Sequence, residues 1–282
     1  MTRYLLVKSH VGFGDRLQCL SHAMTYASKF NRTICIDWSD SAWSDGRLNF
    51  ETYFSLCGVD SIGLPDLLQL DIESVFPQGW LNQLDRRADS KFIYKSEYVT
   101  TLPDADVDAE VVVYSSTGHR VFHQQNLCLL RLKRPYRDQV IAELQRANEY
   151  RVVVHLRGTD RNGPQQHDAY LKTMTSASIP KSEPLLVVTD SLSLFQQFQT
   201  QYPNAVLRTP ELGQFGDQHG THFQTVHSKH DFNMQTLIDF FIIMYAPVCI
   251  ADGKSIFSSL ARFLHEGDYC NILGYDGFTT PS

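Results

Sequence analysis

Long hydrophobic runs are missing from this 282-residue chain. The opening strand Tyr4–Val7 is cut short by Lys8 and His10, so neither a signal peptide nor a membrane anchor is expected, and the expected location is cytoplasmic. Basic charge is also scarce. Twenty-five Lys and Arg stand against 31 Asp and Glu, a formal net charge of −6, which argues against a general nucleic-acid binder, so no nucleic acid is expected as partner. The six cysteines are scattered with no CxxC pair, and a chain of this size can bury a core without disulfides, so reduced thiols are expected. HExxH, a Cys/His quartet and a Walker loop are all absent, which leaves no motif for a structural zinc or for P-loop phosphoryl transfer. His219, His222, His227 and His230 cluster between Gly216 and Asp231 without ligand spacing and read as a polar loop.

Alternation of strands and helices is what the sequence does have. Tyr4–Lys8 reads as a strand; Leu17, Leu20, Met24 and Ala27 mark a helix over residues 16–30; Thr33–Asp37 is a second strand. That βαβ start predicts a parallel sheet. The sequon Asn31-Arg32-Thr33 falls where a turn is needed between helix and strand. From Ser39 to Asp108 short apolar pieces are broken by Gly, Pro and Asp, and no topology can be read. The pattern then resumes, with strands near 111–115, 151–156, 185–189 and 248–251. Helices are expected over 136–148, 192–202, 234–245 and 255–264, with a further one starting at Ala169. Continuous apolar strands such as Arg151–Leu156 belong to sheets buried on both faces. The expected division is residues 1–148 and 149–282.

Ligands of open parallel sheets sit beyond the carboxyl ends of the strands, and four such ends are polar here. After the first strand come Gly12, Phe13, Gly14 and Asp15, either a close-approach loop for an anion or a tight turn, with Leu17 in the place of a third glycine. After 151–156 comes HLRGTDR. There Arg157 suits bidentate phosphate binding beside His155, while Asp160 and Arg161 suit either a ligand or a structural ion pair. Asp190 either accepts hydrogen bonds from a nucleoside or shares helix capping with Ser191. Ser255, Phe257, Ser258 and Ser259 open the last helix, where hydroxyls and amides bind a diphosphate or simply cap. Together these strand ends describe a site for a nucleoside diphosphate.

The ordered segments HLRGTDR, VVTDSLSLFQQFQTQYPN and SIFSSLARFLHEG, over Val152–Gly267, resemble the three motifs of the α1,6-, α1,2- and protein O-fucosyltransferase superfamily. The likeness is strongest to the α1,6 branch with its rhizobial chitin-oligosaccharide enzymes. It implies an α/β GT-B fold of two facing Rossmann-like domains with parallel sheets. Residues 1–148 would form the acceptor side, and residues 149–282 would bind the donor, GDP-fucose. It also implies that Arg157 binds the diphosphate, Asp190 the nucleoside, and Ser255, Phe257, Ser258 and Ser259 the phosphates; His155, Gly12 and Gly14 complete the expected donor set. Transfer would be inverting and need no metal or other cofactor, with a glycan as acceptor.

Two positions depart from the pattern: Gly158 stands where a second Arg is usual, and Gln165 where the base carboxylate is expected. Asp168 then becomes the first candidate base, ahead of His167 and Asp15. The alternatives are another nucleotide sugar on the same fold, or a catalytically silent nucleotide- or carbohydrate-binding module. Trp38, Trp43, Tyr53 and Trp80 are either stacking faces for the acceptor or core residues.

Overall fold

The computed structural model describes residues 2–10, 12–88, 98, 101–115, 123–158, 164–208, 228–251, 255–266 and 272–273, with 124, 164–167 and 266 by backbone alone. Contacts divide the chain into two units. The first runs to Arg134 and includes Ile272 and Leu273 near the end of the chain; the second starts at Pro135. The division therefore falls at the first residue of the helix Arg134–Ala147, where 148 was expected.

In the first unit, β1 (Tyr4–Lys8) pairs in parallel with β2 (Thr33–Asp37) on one side and β5 (Val111–Tyr114) on the other, and β4 (Val75–Phe76) closes the order β2-β1-β5-β4. The crossover helix α1 (Phe13–Phe30) buries Leu17, Leu20, Met24 and Ala27. It starts three residues earlier than the apolar spacing predicts, because Gly12 is its N-cap and Gly14 lies in its first turn. Its last turn is closed by Asn31 in the left-handed region (φ 50°), with the Asn31 N–H on the Ala27 carbonyl, so the sequon is a helix stop. The stretch that resisted reading holds β3 (Phe54–Leu56), which pairs antiparallel with β6 (Leu130–Leu132), and β4. Strands of two and three residues are too short to display a period.

Buried charge holds this unit together. Arg16, fully buried, donates to the Ser9 carbonyl (2.9 Å) and to Asp40 (2.9 Å), and its guanidinium lies over the rings of Trp38 (5.5 Å) and Trp43 (5.3 Å). Burial raises the Asp40 carboxyl above its usual value, and the Arg16 charge and hydrogen bond oppose that shift. Lys8, equally buried, pairs with Asp37 and lies over Trp80. Trp38, Trp43, Tyr53 and Trp80 are all at most 3 % exposed, so none of the four is an acceptor platform; they are core.

In the second unit, β7 (Val152–Leu156), β8 (Leu185–Thr189), β9 (Ala205–Leu207) and β10 (Val248–Ala251) form a fully parallel sheet in the order β10-β7-β8-β9. Val152, Val154, Leu156, Leu185 and Val187 pack against Tyr170, Met174, Phe195 and Phe198 from the helices Pro164–Ser176 and Leu192–Gln201. The apolar helix Lys229–Tyr245 buries ten residues, as expected of an element without a wet face. The five described cysteines are all unbridged. Burial pushes the Cys249 thiol up to about 11 and the Cys35 thiol higher still, so neither is a thiolate at neutral pH.

Candidate functional site

The second sheet runs β7, β8, β9 in one direction and then places β10 on the other side of β7. That reversal makes the carboxyl ends of β7 and β10 the topological switch point, where an open parallel sheet has its crevice. His155 lies there in register with Ala251 of β10 and Val188 of β8. Its ring is buried against Phe257 (5.7 Å), which in turn meets Phe240 edge-on (5.3 Å). Phe257 thus braces the helix Ile256–Glu266 against the end of β7. Arg157 follows one residue past the strand and is partly exposed.

The backbone that carries Arg157 is held from two sides. Thr189 donates its hydroxyl to the Leu156 carbonyl (2.6 Å), the Arg157 N–H donates to the Tyr170 hydroxyl (3.2 Å), and the Gly158 N–H donates to Asp190 Oδ1 (2.6 Å). Asp190 thus bonds the neighbouring loop, and Ser191 is the N-cap of the helix after it, accepting from the Leu194 N–H (3.3 Å). Ser255 stands just before Ile256, 1 % exposed, and its hydroxyl has no hydrogen-bond partner among the described residues. A buried hydroxyl at a helix N-terminus is in position to donate to an anion that the helix end attracts. Ser258 is buried, with its hydroxyl 3.5 Å from the Ser255 carbonyl, and Ser259 is exposed.

Asp160 and Arg161 fall outside the described residues, as do His219, His222 and His227; His230 sits in the Lys229–Tyr245 helix against Tyr136 (5.6 Å). His167 is placed by its backbone alone. Asp168 does not cap a helix from Ala169: the helix begins at Pro164, and Asp168 lies inside it. It is exposed beside Leu171, Lys172 and Thr175 along an open groove, two residues round the helix from the buried Tyr170 that reaches Arg157. Gly12, Gly14 and Asp15 belong to the first unit, and Asp15 is the acidic residue of the first turn of α1 rather than its cap. Gly14 is buried within that turn and not in an open loop.

One strand end escaped sequence reading. Arg208, directly after β9, donates to Gln235 (2.6 Å) and pairs with Asp239 of the Lys229–Tyr245 helix, so all four carboxyl ends of this sheet lead into polar side chains. Burial raises the Asp239 carboxyl, against the opposing charge of Arg208. A lone Arg after a three-residue strand gave little signal. Among the described residues no group of three or more His, Cys, Asp or Glu converges as a metal site would.

No protein-family model matches the chain. Nodulation protein Z of Azorhizobium caulinodans is 24 % identical over 257 residues, covering 78 % of each chain. Among solved structures, the fucosyltransferase NodZ from Bradyrhizobium superposes with a TM-score of 0.68 at 19 % identity over 94 % of each chain. The fold is that of NodZ. A NodZ α-1,6-fucosyltransferase soaked with GDP-fucose gives the same score over 93 % of each chain, and POFUT1 in complex with GDP-fucose gives 0.53 at 11 % identity. The resemblance read from the three motifs is thereby borne out, and with it the GT-B fold class: α/β, with a parallel sheet in each of two Rossmann-like units.

Proposed function

We propose that this chain is an inverting glycosyltransferase that moves fucose from GDP-fucose to a hydroxyl of a glycan. The observation that carries the reading is the switch point of the second sheet, where Arg157 and the Ser255 hydroxyl at a helix N-terminus stand at adjoining strand ends. The NodZ fold, which in a related crystal was soaked with GDP-fucose, supports the same donor. In this reading the guanidinium and the helix end stabilise the negative charge that grows on the diphosphate as the sugar–oxygen bond breaks. A base removes the proton of the acceptor hydroxyl as it attacks from the opposite face. Cytoplasmic residence belongs to the proposal and fits five unbridged cysteines. No helix among the described residues is long and apolar enough to cross a membrane.

The test starts with thermal denaturation in the presence of GDP, UDP, ADP and their sugar derivatives. GDP at about 100 times its Kd is expected to add roughly 2.7 kcal/mol of stability, while the other nucleotides add little. GDP release from GDP-fucose, offered with chitin oligosaccharides as first acceptor, is then measured with and without EDTA. Turnover is expected to survive chelation, because protein cations and amides carry the leaving charge. Loss with EDTA and recovery with manganese or magnesium would overturn the metal-independent mechanism. Tight GDP binding without any turnover selects the silent module, the reading favoured by Gly158 and Gln165.

The base is to be found among Asp168, His167 and Asp15. Alanine at the true base lowers turnover about 100-fold or more at saturating donor and leaves GDP affinity unchanged. The exposed position of Asp168 makes this a demanding test of that residue, since the acceptor itself has to approach the helix face carrying it. Three variants within a few-fold of the parent exclude all three side chains.

A further inference from the structure

The end of β7 is held by a clamp that the donor-site motifs alone do not reveal. Ladder pairing in this sheet stops at Leu156 opposite Thr189. The next two amides, of Arg157 and Gly158, lie beyond it, and a glycine there leaves the backbone free to adopt many conformations. Side chains from two other elements take up that freedom. Tyr170 accepts the Arg157 N–H and Asp190 accepts the Gly158 N–H, while Thr189 fixes the carbonyl on the other side of the Leu156–Arg157 peptide. Tyr170 itself is 4 % exposed and packed in the core with Val154, Leu156 and Met174, so its hydroxyl is a fixed point.

We infer that Tyr170 and Asp190 are positioning residues: they hold the backbone on both sides of the Arg157 side chain, so that its guanidinium meets the donor diphosphate from a fixed Cα. This rests on the reading of Arg157 as the diphosphate ligand. It assigns the Asp190 carboxylate to the loop instead of the nucleoside. Arg side chains lose several rotatable bonds on binding, and a pre-set anchor reduces the ordering that remains to be done.

The experiment is calorimetric titration of the full chain with GDP and, by competition, with guanosine. Tyr170→Phe and Asp190→Ala are each expected to weaken GDP about fivefold, the range of a single net hydrogen bond, and to leave guanosine within twofold. Asp190→Asn keeps a carbonyl acceptor for the Gly158 N–H and is expected to restore GDP affinity. In an Arg157→Ala background, Tyr170→Phe is expected to change GDP affinity less than twofold, because its effect passes through Arg157. An equal loss with and without Arg157 overturns the positioning role, since Tyr170 then supports the unit in general. Unaltered GDP affinity in both Tyr170→Phe and Asp190→Ala, where Arg157→Ala removes binding, overturns it too. Failure of Asp190→Asn to restore binding, with guanosine weakened as well, returns Asp190 to the nucleoside. If Arg157→Ala itself leaves GDP binding intact, the donor reading falls first. Tyr170→Phe retains the buried ring, so folding does not confound the series.

Discussion

Arg157→Ala is expected to weaken GDP by 2 to 5 kcal/mol, roughly 30-fold to several-thousand-fold, the range for removing a charged hydrogen-bonding partner. Arg157→Lys is expected to recover only part of that loss. An ammonium keeps the charge but not the planar fork that meets two phosphate oxygens at once. The strand geometry makes the comparison clean: Arg157 lies beyond the last ladder pair of β7, so neither variant touches the sheet core. Titration of folded variants with GDP decides it, and unchanged affinity in Arg157→Ala retires the donor assignment. A loss of kcat with unchanged GDP affinity would instead confine the guanidinium to the transition state.

The second large effect concerns the first unit. Arg16→Ala is expected to lower its unfolding free energy by about 3 to 5 kcal/mol, the usual result of removing one partner of a buried ion pair. The substitution leaves Asp40 buried at 3 % exposure without its cation and opens space between Trp38 and Trp43. Urea denaturation followed by tryptophan fluorescence reads it directly, because two of the three tryptophans flank the site. Replacing both charges, as Arg16→Met with Asp40→Leu, is expected to return much of the loss, since well-packed apolar pairs often match buried ionic ones. If Arg16→Ala costs less than about 1 kcal/mol, the pair is not the element that fixes this corner of the unit.

Much of the fold was legible because its strands are those of a buried parallel sheet. Tyr4–Lys8, Thr33–Asp37, Leu185–Thr189 and Val248–Ala251 stand out as short apolar runs between helical spacings. What escaped were elements made by tertiary pairing rather than local pattern, such as β3, which owes its existence to β6, where Phe54 pairs with Leu132 and Leu56 with Leu130. Two helices start earlier than their apolar spacing indicates. Phe13 joins α1 because its ring stacks on Trp43 and Phe54, and Pro164 opens its helix although Gly163-Pro164 looks like a loop.

At the site, residue types were readable but partners were not. Arg157 and Asp190 were singled out from their strand ends. Nothing in the order of residues told that Asp190 would bond the Gly158 amide, or that Tyr170 would reach back to the Arg157 amide. The large aromatic rings were readable either as platforms or as core, and packing decides for core, with Arg16 over the faces of Trp38 and Trp43 and Lys8 over Trp80.

The return of Ile272 and Leu273 to the first unit bears on the order in which the chain can mature on the ribosome. Both are 1 % exposed, and the Ile272 carbonyl receives the Leu132 N–H at 3.1 Å. Domains generally fold as they emerge, the N-terminal part first. Here the N-terminal unit cannot close the Leu132–Ile272 pair until residue 272 has emerged, by which time every strand of the other sheet, from Val152 to Ala251, has emerged before it. The unit begun first therefore keeps an open place at Leu132 until residue 272 follows, after all four strands of the second sheet have been made.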